Sequence, residues 1–319
     1  MATEQYERER TGPGGEPAVL AVDIGGTKTA VAVVHAGGKI GRRWRWPTDD
    51  SPGPWLERLV AIVTELHGRP DGPRAIGLAV PAVLDEPLER VLWAPNLPGW
   101  ANLPLPAILR QKTTLPVAMG LDGHLAAVGE HWLGALKGID DCVCVVVGTG
   151  IGGGIFIQGR LHHGAQNLSG CLGWMIVGDS EQAPEKAGAV GWLESQAGGS
   201  ALQELAGGLG HGHTQHAVEE LVSAAVAGDP EATAVLVGVG QLIGRAVADV
   251  VNLLSPKAVA LGGTVILSAP IVLAEVRKTV RLYAHPYLRS AVAIVEAATG
   301  ADAPLLGAAR LALDATGSF

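Results

Sequence analysis

The pattern of apolar and polar positions divides the first eighty residues into strands and one helix. Two apolar runs lie between Ala18 and His35 and flank the turn Ile24 to Lys28, which predicts a β-hairpin. Apolar residues then recur at helical spacing from Pro54 to Gly68. The run Ala75 to Val80 predicts another strand, so the region has the strand, strand, helix, strand order of an α/β module.

The hairpin pattern occurs again in the middle of the chain. Two apolar runs between Cys142 and Ile157 flank the turn Gly148 to Gly154, which has five glycines in seven residues. The distance between the hairpins is too long for a solenoid repeat, so we expect two related halves that face each other. The remaining predicted elements are helices over Leu121 to Leu136, Ala217 to Val226 and Pro230 to Leu254, and a strand over Ala258 to Leu261.

These elements predict a chain with two α/β lobes. Residues 1–17 are expected to form a flexible tail, and residues 18–117 a small N-terminal lobe that the C-terminal helix 304–319 completes. Residues 118–303 are expected to form the larger lobe. No predicted linker is long, so we expect the lobes to be tightly coupled.

Charge and cysteine content narrow the functional classes. The formal net charge of −8 argues against binding to nucleic acid or to an anionic membrane. The chain start lacks the apolar core of a signal peptide, and no uninterrupted apolar run reaches bilayer length. Of the three cysteines, Cys142 and Cys144 point to one side of a strand as small core residues, and Cys171 stands apart. We therefore expect a cytoplasmic protein.

The turn of the first hairpin has the composition of a phosphate-binding loop. Gly25 and Gly26 lack a Cβ and allow backbone N–H groups to approach phosphate oxygens, while Thr27 and Lys28 add a hydroxyl and a positive charge. Asp23, at the strand end, is suited to hold a Mg²⁺-bound water. A plain hairpin turn is the alternative interpretation.

The second glycine turn and a third glycine pair extend this prediction. Gly148, Thr149 and Gly150 favour close approach of the backbone to a ligand, and with the first turn they predict a clamp on a triphosphate. An ordinary bulged hairpin is the alternative. Gly262 and Gly263 follow a strand and allow an adenine ring to lie against the backbone, although strand-to-helix turns often use such a pair.

Asp122 is a candidate general base. It lies at the start of a predicted helix, where the helix dipole favours an ionised carboxylate, and an ionised carboxylate is what proton abstraction from a hydroxyl requires. A helix-capping aspartate is the alternative interpretation.

Together these motifs resemble the ROK family of repressors, open reading frames and sugar kinases, and the resemblance extends from Ala18 to about Leu313. The matching stretches are Asp23 to Lys28, Ala94 to Trp100, Gly148 to Gly152, Gly159 to Leu161 and Gly262 to Gly263. The resemblance implies the fold of sugar kinases, Hsp70 and actin, with two RNase H-like α/β lobes and an ATP cleft between them. It also implies ATP and Mg²⁺ as cofactors, and it aligns Asp122 with the catalytic aspartate of the family's Asn-Asp-Ala-Asn stretch, which here is Leu121 to His124.

The acceptor and zinc motifs depart from the family. The family's Glu-x-Gly-His reads Cys171-Leu172-Gly173-Trp174 here, so Cys171 replaces the sugar-binding glutamate and Trp174 the histidine. The zinc motif reads Glu185 to Glu194 and has lost its cysteines, so no zinc site is expected and Trp192 is expected to fill the core. The cluster of His211, His213 and His216 and the pair His162-His163 are interpreted as solvated side chains, with metal binding as the alternative.

The favoured function is ATP-dependent phosphorylation of a small polyhydroxylated substrate by a homodimeric kinase. The expected acceptor contacts are Asn96, Asp122, Cys171, Trp174 and Glu194. The altered pocket favours a C7-cyclitol or modified sugar, because ROK-like kinases are known to act on C7-cyclitols. A glucokinase-like hexose kinase and a non-catalytic ligand sensor are the alternatives. A DNA-binding repressor is disfavoured, because only 22 residues precede Asp23.

Overall fold

The computed structural model describes residues 16–69, 72–178, 187–210 and 216–317. The strands are β1 Ala18–Ile24, β2 Lys28–His35, β3 Ile40–Pro47, β4 Pro73–Val80, β5 Val83–Leu84, β6 Val91–Trp93, β7 Val117–Leu121, β8 Cys142–Val147, β9 Ile151–Ile157, β10 Arg160–His162, β11 Ala258–Gly262 and β12 Ala293–Glu296. The helices are α1 Pro52–Leu66, α2 Leu105–Thr113, α3 Asp122–Leu133, α4 Ala187–Val190, α5 Trp192–Ala197, α6 Gly199–Gly208, α7 Ala217–Val226, α8 Pro230–Leu254, α9 Thr264–Ser268, α10 Pro270–Tyr283, α11 Leu288–Ala291 and α12 Ala303–Ala315. Short 3-10 helices span Pro98–Trp100, Leu172–Trp174 and Gly300–Asp302.

The chain forms two compact units. The first comprises Met1–Leu133, His163–Ser169 and Asp302–Phe319, and the second comprises Gly134–His162 and Gly170–Ala301. This division differs from the expected boundary at 117/118. Strand β7 pairs in parallel with β4, and α3 packs against α12, so both elements belong to the first unit. Nearly all of residues 1–17, the expected flexible tail, lie outside the described residues.

The first unit is built on a sheet with the strand order β3-β2-β1-β4-β7, in which β1 to β3 are antiparallel and β4 and β7 run parallel to β1. Alternate residues of β1 point to opposite faces. Leu20 and Val22 face the core beneath α1 and α2, whereas Val19 and Ala21 face α3 and α12. By this alternation Asp23, the penultimate residue of β1, lies on the α3 and α12 face.

The second unit repeats this arrangement. Its sheet has the order β10-β9-β8-β11-β12, again with three antiparallel strands followed by two parallel ones. The predicted relation between two halves of the chain is therefore confirmed in strand order and direction. Cys142 and Cys144 are buried in β8, and burial is the main reason that the pKa of Cys142 is raised to about 12.

Helix α8 is the longest helix in the described part of the chain, and it packs against α10. Among the described residues it is the one helix long and apolar enough to cross a membrane. In its most apolar window, 56% is buried inside the protein, as expected for a core helix. Ile243, Val247 and Val251 lie in the same apolar cluster as Val272 and Val276 of α10.

Candidate active site

The turn between β1 and β2 is a tight hairpin with an exposed tip. The N–H of Gly25 donates to the carbonyl of Lys28 at 2.9 Å, and Thr48 N donates to the Thr27 carbonyl at 3.0 Å. Thr27 and Lys28 are exposed. The turn therefore presents a hydroxyl and an ammonium group at one edge of the sheet.

Among the described carboxyl groups of the first unit, Asp23 has the most strongly shifted pKa. Burial, reinforced by the negative charge of Asp122, raises its pKa to about 7. Lys28 opposes the rise, Asp302 adds to it and Arg45 opposes it. The structure thus brings two predicted residues, Asp23 and Asp122, close enough for their charges to interact, and Lys28 and Arg45 partly offset the two carboxylates.

Two of the charged groups around Asp23 were not predicted from the sequence. Arg45 pairs with Ala30, which pairs with Asp23, so the three residues form one row on one face of the sheet. The alternation of side chains along β3 is the sequence feature that could have indicated the position of Arg45. Asp302 is held by Arg43 through two hydrogen bonds of 2.7 and 2.8 Å. It is so distant in sequence that no local pattern could place it beside Asp23.

Asp122 is the first residue of α3, directly after β7, and is half-buried. Its Oδ1 accepts from the N–H of Gly123 at 2.7 Å. A cap residue in the usual geometry is seen at Asp229, which precedes α8 and accepts from Glu231 N and Ala232 N at 2.8 and 3.1 Å. Asp122 is thus the first residue of its helix, whereas a capping aspartate such as Asp229 precedes its helix. This position differs from the one that the alternative interpretation of Asp122 requires.

Two neighbouring side chains complete this half of the candidate site. Asn96 is exposed and lies against the first turn, since a Cβ on Gly26 would lie 2.9 Å from the Asn96 Cβ. His124 is buried and its Nε2 lies 2.6 Å from the Ser169 carbonyl, so it fixes the segment before Gly170 to the start of α3.

The second glycine turn lies in the other unit and is fixed by α5 and α6. Gly148 N donates to the Gly150 carbonyl at 2.9 Å. Gly199 N donates to the Gly148 carbonyl at 2.8 Å, and Ser200 N donates to the Thr149 carbonyl at 3.2 Å. Two carbonyls of the turn are thus directed at the start of α6. In the same sheet, Gly262 ends β11 and Gly263, with φ of +88°, precedes α9.

The altered acceptor motif also lies in the second unit. Cys171 is half-buried just before the 3-10 helix, and Trp174 at the end of that helix is 50% exposed. Glu194 is half-buried in α5, and its Oε2 accepts from Ile151 N at 2.7 Å. Burial raises the pKa of Glu194, and this hydrogen bond opposes the rise.

The family's zinc positions hold other residues. Trp192 is buried in the core of the second unit, which confirms the prediction that it fills the core. Within the ranges that the structure describes, no group of three His, Cys, Asp or Glu residues is placed to hold a metal. His216 lies 2.8 Å from a carboxylate oxygen of Glu219, while Glu185, His211 and His213 are outside the described residues.

The sequence matches the profile of the ROK family over residues 19–315. The chain belongs to the ROK family. This ROK protein is 29% identical over 306 residues to a glucokinase of Halalkalibacterium halodurans, covering 90% of this chain and 92% of the relative. It is also 27% identical over 259 residues to the xylose repressor of Bacillus subtilis, covering 81% of this chain and 66% of the repressor.

The structure also resembles solved structures of ROK family kinases. The structure resembles that of a ROK family glucokinase from Streptomyces griseus, which was solved with glucose and AMPPNP. The two chains are 30% identical, the match covers 93% of this chain and 99% of the glucokinase chain, and the TM-score is 0.80. ROK sugar kinases belong to the actin, Hsp70 and sugar kinase superfamily, so the predicted fold class is confirmed. The relatives support ATP-dependent sugar phosphorylation as the activity of this group.

We expect this ROK protein to fold and function without zinc. Tetrahedral zinc needs about four ligands, whereas the family's ligand positions hold Glu185, Ala187, Trp192 and Trp174, and the last three of these provide none. Elemental analysis of the purified protein and thermal unfolding with and without a strong chelator would check this. One equivalent of zinc, with a loss of stability on chelation, would contradict the prediction.

Proposed function

We propose that this ROK protein is a carbohydrate kinase that transfers the terminal phosphoryl group of ATP to a hydroxyl of a small polyhydroxylated acceptor. The observation that supports it most strongly is the pairing of Asp122 with Asp23. Asp122 is at a helix start, where the dipole favours its ionised form, and Asp23 is largely buried, within range of the charge of Asp122. That arrangement fits a general base beside a cation site.

In this proposal Asp23 holds a Mg²⁺-bound water. The fit is chemical, since Mg²⁺ retains several waters, uses few protein carboxylates and is otherwise bound by substrate phosphates. Burial and the nearby carboxylate of Asp122 raise the pKa of Asp23, and a divalent cation bound there would favour its ionised form. When bound, the ion would neutralise charge on the transferred phosphoryl group.

In this proposal the other residues contact either the phosphoryl donor, ATP, or the acceptor that carries the hydroxyl. Asp122 accepts the proton of the attacking hydroxyl, and Asn96 beside the first turn contacts the acceptor. Thr27 and Lys28 bind phosphate oxygens together with backbone N–H groups of Gly25 and Gly26.

In the second unit, Gly148, Thr149 and Gly150 also bind phosphate. Gly262 and Gly263 leave room for adenine. These assignments explain why the glycines occur at sheet edges rather than within helices.

The acceptor is either a hexose or a modified ring such as a C7-cyclitol. The resemblance to glucokinases makes a hexose fit at least as well as a cyclitol. The exchange to Cys171 and Trp174 favours a ring that has carbon or a less polar group at the end that the family's glutamate and histidine bind. Trp174 has the exposed face that such a ring would pack against.

We expect glucose to be a poor substrate. A thiol and one indole N–H replace a carboxylate and an imidazole, and each unsatisfied buried hydroxyl costs about 1–3 kcal/mol. Two such losses lower kcat/KM roughly a hundred-fold. Steady-state kinetics with hexoses, N-acetylhexosamines and cyclitols would measure this, and efficient glucose phosphorylation would contradict it.

The double variant Cys171→Glu/Trp174→His serves as the matched test of the pocket. It should raise kcat/KM for glucose and lower that for the preferred acceptor. The exposed Trp93→His variant, outside this motif, should do neither.

A non-catalytic sugar sensor is the second candidate, favoured by the similarity to a xylose repressor. It predicts saturable binding of a sugar with no consumption of ATP in the same panel. For the kinase we further propose a cytoplasmic location, where ATP is available, and a homodimeric assembly, which light scattering of the purified protein would test.

A further inference from the structure

Glu194 accepts a backbone hydrogen bond that a residue with no role beyond contact with the phosphoryl acceptor would not need. Its Oε2 accepts from Ile151 N, the first residue after the second glycine turn, at 2.7 Å. A carboxylate bonded to a backbone N–H forms one of the stronger hydrogen bonds available in a protein. Glu194 therefore fixes the backbone at the point where the turn Gly148–Gly150 enters β9.

Two glycines show how closely the carboxylate is enclosed. A Cβ on Gly150 would lie 2.5 Å from Glu194 Oε2, and a Cβ on Gly173 would lie 3.1 Å from the same oxygen. Gly150 belongs to the glycine turn, and Gly173 lies between Cys171 and Trp174 in the acceptor motif. One oxygen of Glu194 thus packs against both segments, and neither segment has room for a side chain there.

The rest of the support for the turn comes from the same helical stretch. Gly198 N donates to the Glu194 carbonyl at 2.9 Å, which ends α5. The next two residues, Gly199 and Ser200, donate to the carbonyls of Gly148 and Thr149. The backbone of residues 198–200 and the side chain of Glu194 therefore hold opposite ends of one short turn.

From this geometry we infer that Glu194 is a positioning residue for the donor phosphates, which fixes the Gly148–Gly150 turn and links its shape to the acceptor motif. The inference rests on the proposed function for the identity of the ligand, but the structural part, a turn held by Glu194, does not. If a bound acceptor near Gly173 moved the carboxylate of Glu194, the hydrogen bond from Ile151 N to that carboxylate would move Ile151 as well. Affinity for nucleotide would then depend on a residue assigned to the acceptor.

Two substitutions separate positioning from acceptor contact. Glu194→Gln keeps a side-chain oxygen that can accept from Ile151 N, whereas Glu194→Ala removes it. We expect the alanine variant to bind AMPPNP with Mg²⁺ about ten-fold or more weakly in the absence of any acceptor, as expected for loss of a hydrogen bond to a charged group. The glutamine variant should stay within about three-fold of the wild type.

Ser195→Ala is the control in the same helix. Its hydroxyl bonds to the Trp192 carbonyl within α5, so its loss should leave nucleotide affinity unchanged. If Glu194 contacts only the acceptor, both Glu194 variants will bind AMPPNP like the wild type and lose only acceptor affinity, which would overturn the inference.

Amide hydrogen exchange without any ligand tests the structural part independently. The peptide containing Ile151 should exchange faster in Glu194→Ala than in Glu194→Gln, Ser195→Ala or the wild type. Equal exchange in all four proteins would overturn the inference. If exchange changes as expected but the wild type does not bind AMPPNP, the turn is held by Glu194 and the proposed function fails instead.

Discussion

Replacing Asp122 with asparagine is expected to remove most phosphoryl transfer while leaving ATP binding nearly intact. Asparagine has the same shape but cannot accept the proton of the acceptor hydroxyl, and loss of a general base typically lowers the rate by roughly 10²–10⁴. Asp122 is the first residue of α3 and its charge acts on Asp23, so the change removes one negative charge and little packing. Single-turnover kinetics together with AMPPNP titration would measure both effects.

The matched control for this variant is Asp229→Asn. Asp229 also lies at a helix start, where it accepts from two backbone N–H groups of α8, but it belongs to neither candidate half-site. Its asparagine variant should keep full turnover, because asparagine caps helices about as well as aspartate. If Asp122→Asn retained more than about half of the wild-type rate, a catalytic effect of the size expected for a general base would be contradicted.

Replacing Asp23 with asparagine is expected to inactivate the protein and to stabilise it at the same time. Activity should fall by roughly a hundred-fold or more, because the contact to the metal-bound water is lost. Stability should rise because burial and the nearby carboxylates make the ionised form of Asp23 unfavourable in the folded state.

The sign of this second effect follows from the pKa values. Asp23 has a pKa of about 7 in the folded protein, against 3.8 as its ordinary value, so the folded state binds its proton more tightly. The resulting stabilisation is fully present below pH 3.8 and is lost as the pH rises through about 7. The asparagine variant has no ionisable group at this position and does not show this loss of folding stability. The loss amounts to at most about 4 kcal/mol at 1.4 kcal/mol per pKa unit.

Chemical denaturation of wild type and variant across the pH range would check this. The advantage of the variant should be near zero at about pH 4, grow up to about pH 7 and then remain constant. A variant with Asp50→Asn, an exposed aspartate that accepts from Gly99 N, should not show this profile. An Asp23→Asn protein less stable than the wild type at about pH 8 would contradict the prediction.

Local patterns predicted the elements of the fold well because each is defined by its own apolar spacing. The two hairpins of Ala18 to His35 and Cys142 to Ile157 were found with both turns in place, and the helices Ala217–Val226 and Pro230–Leu254 have the predicted bounds. The helix expected from Leu121 to Leu136 begins at Asp122 and ends at Leu133. Its assignment to the wrong lobe has a non-local cause, since the packing of α3 on α12 joins segments far apart in sequence.

The candidate site was predictable only where chemistry and local pattern coincide. Glycine turns with adjacent Asp, Thr or Lys are visible in the sequence. The charges of Asp302 and Arg45 on Asp23 depend on sheet register and on the return of the chain after β12. The hydrogen bond that Ile151 N donates to Glu194 joins residues 43 positions apart, and the sequence instead indicated that Glu194 contacts the phosphoryl acceptor.

The discontinuity of the first unit bears on how the protein is made. Val19 and Ala21 lie in one apolar cluster with Ala308, Ala309 and Ala312 of α12, so β1 is covered by a helix that is synthesised nearly 300 residues later. The second unit, in contrast, is almost continuous from Gly134 to Ala301. Although domains generally fold from the N-terminus during translation, here the first unit cannot close its core until α12 has left the ribosome. Until then the apolar positions that α12 covers on this face of the sheet remain exposed.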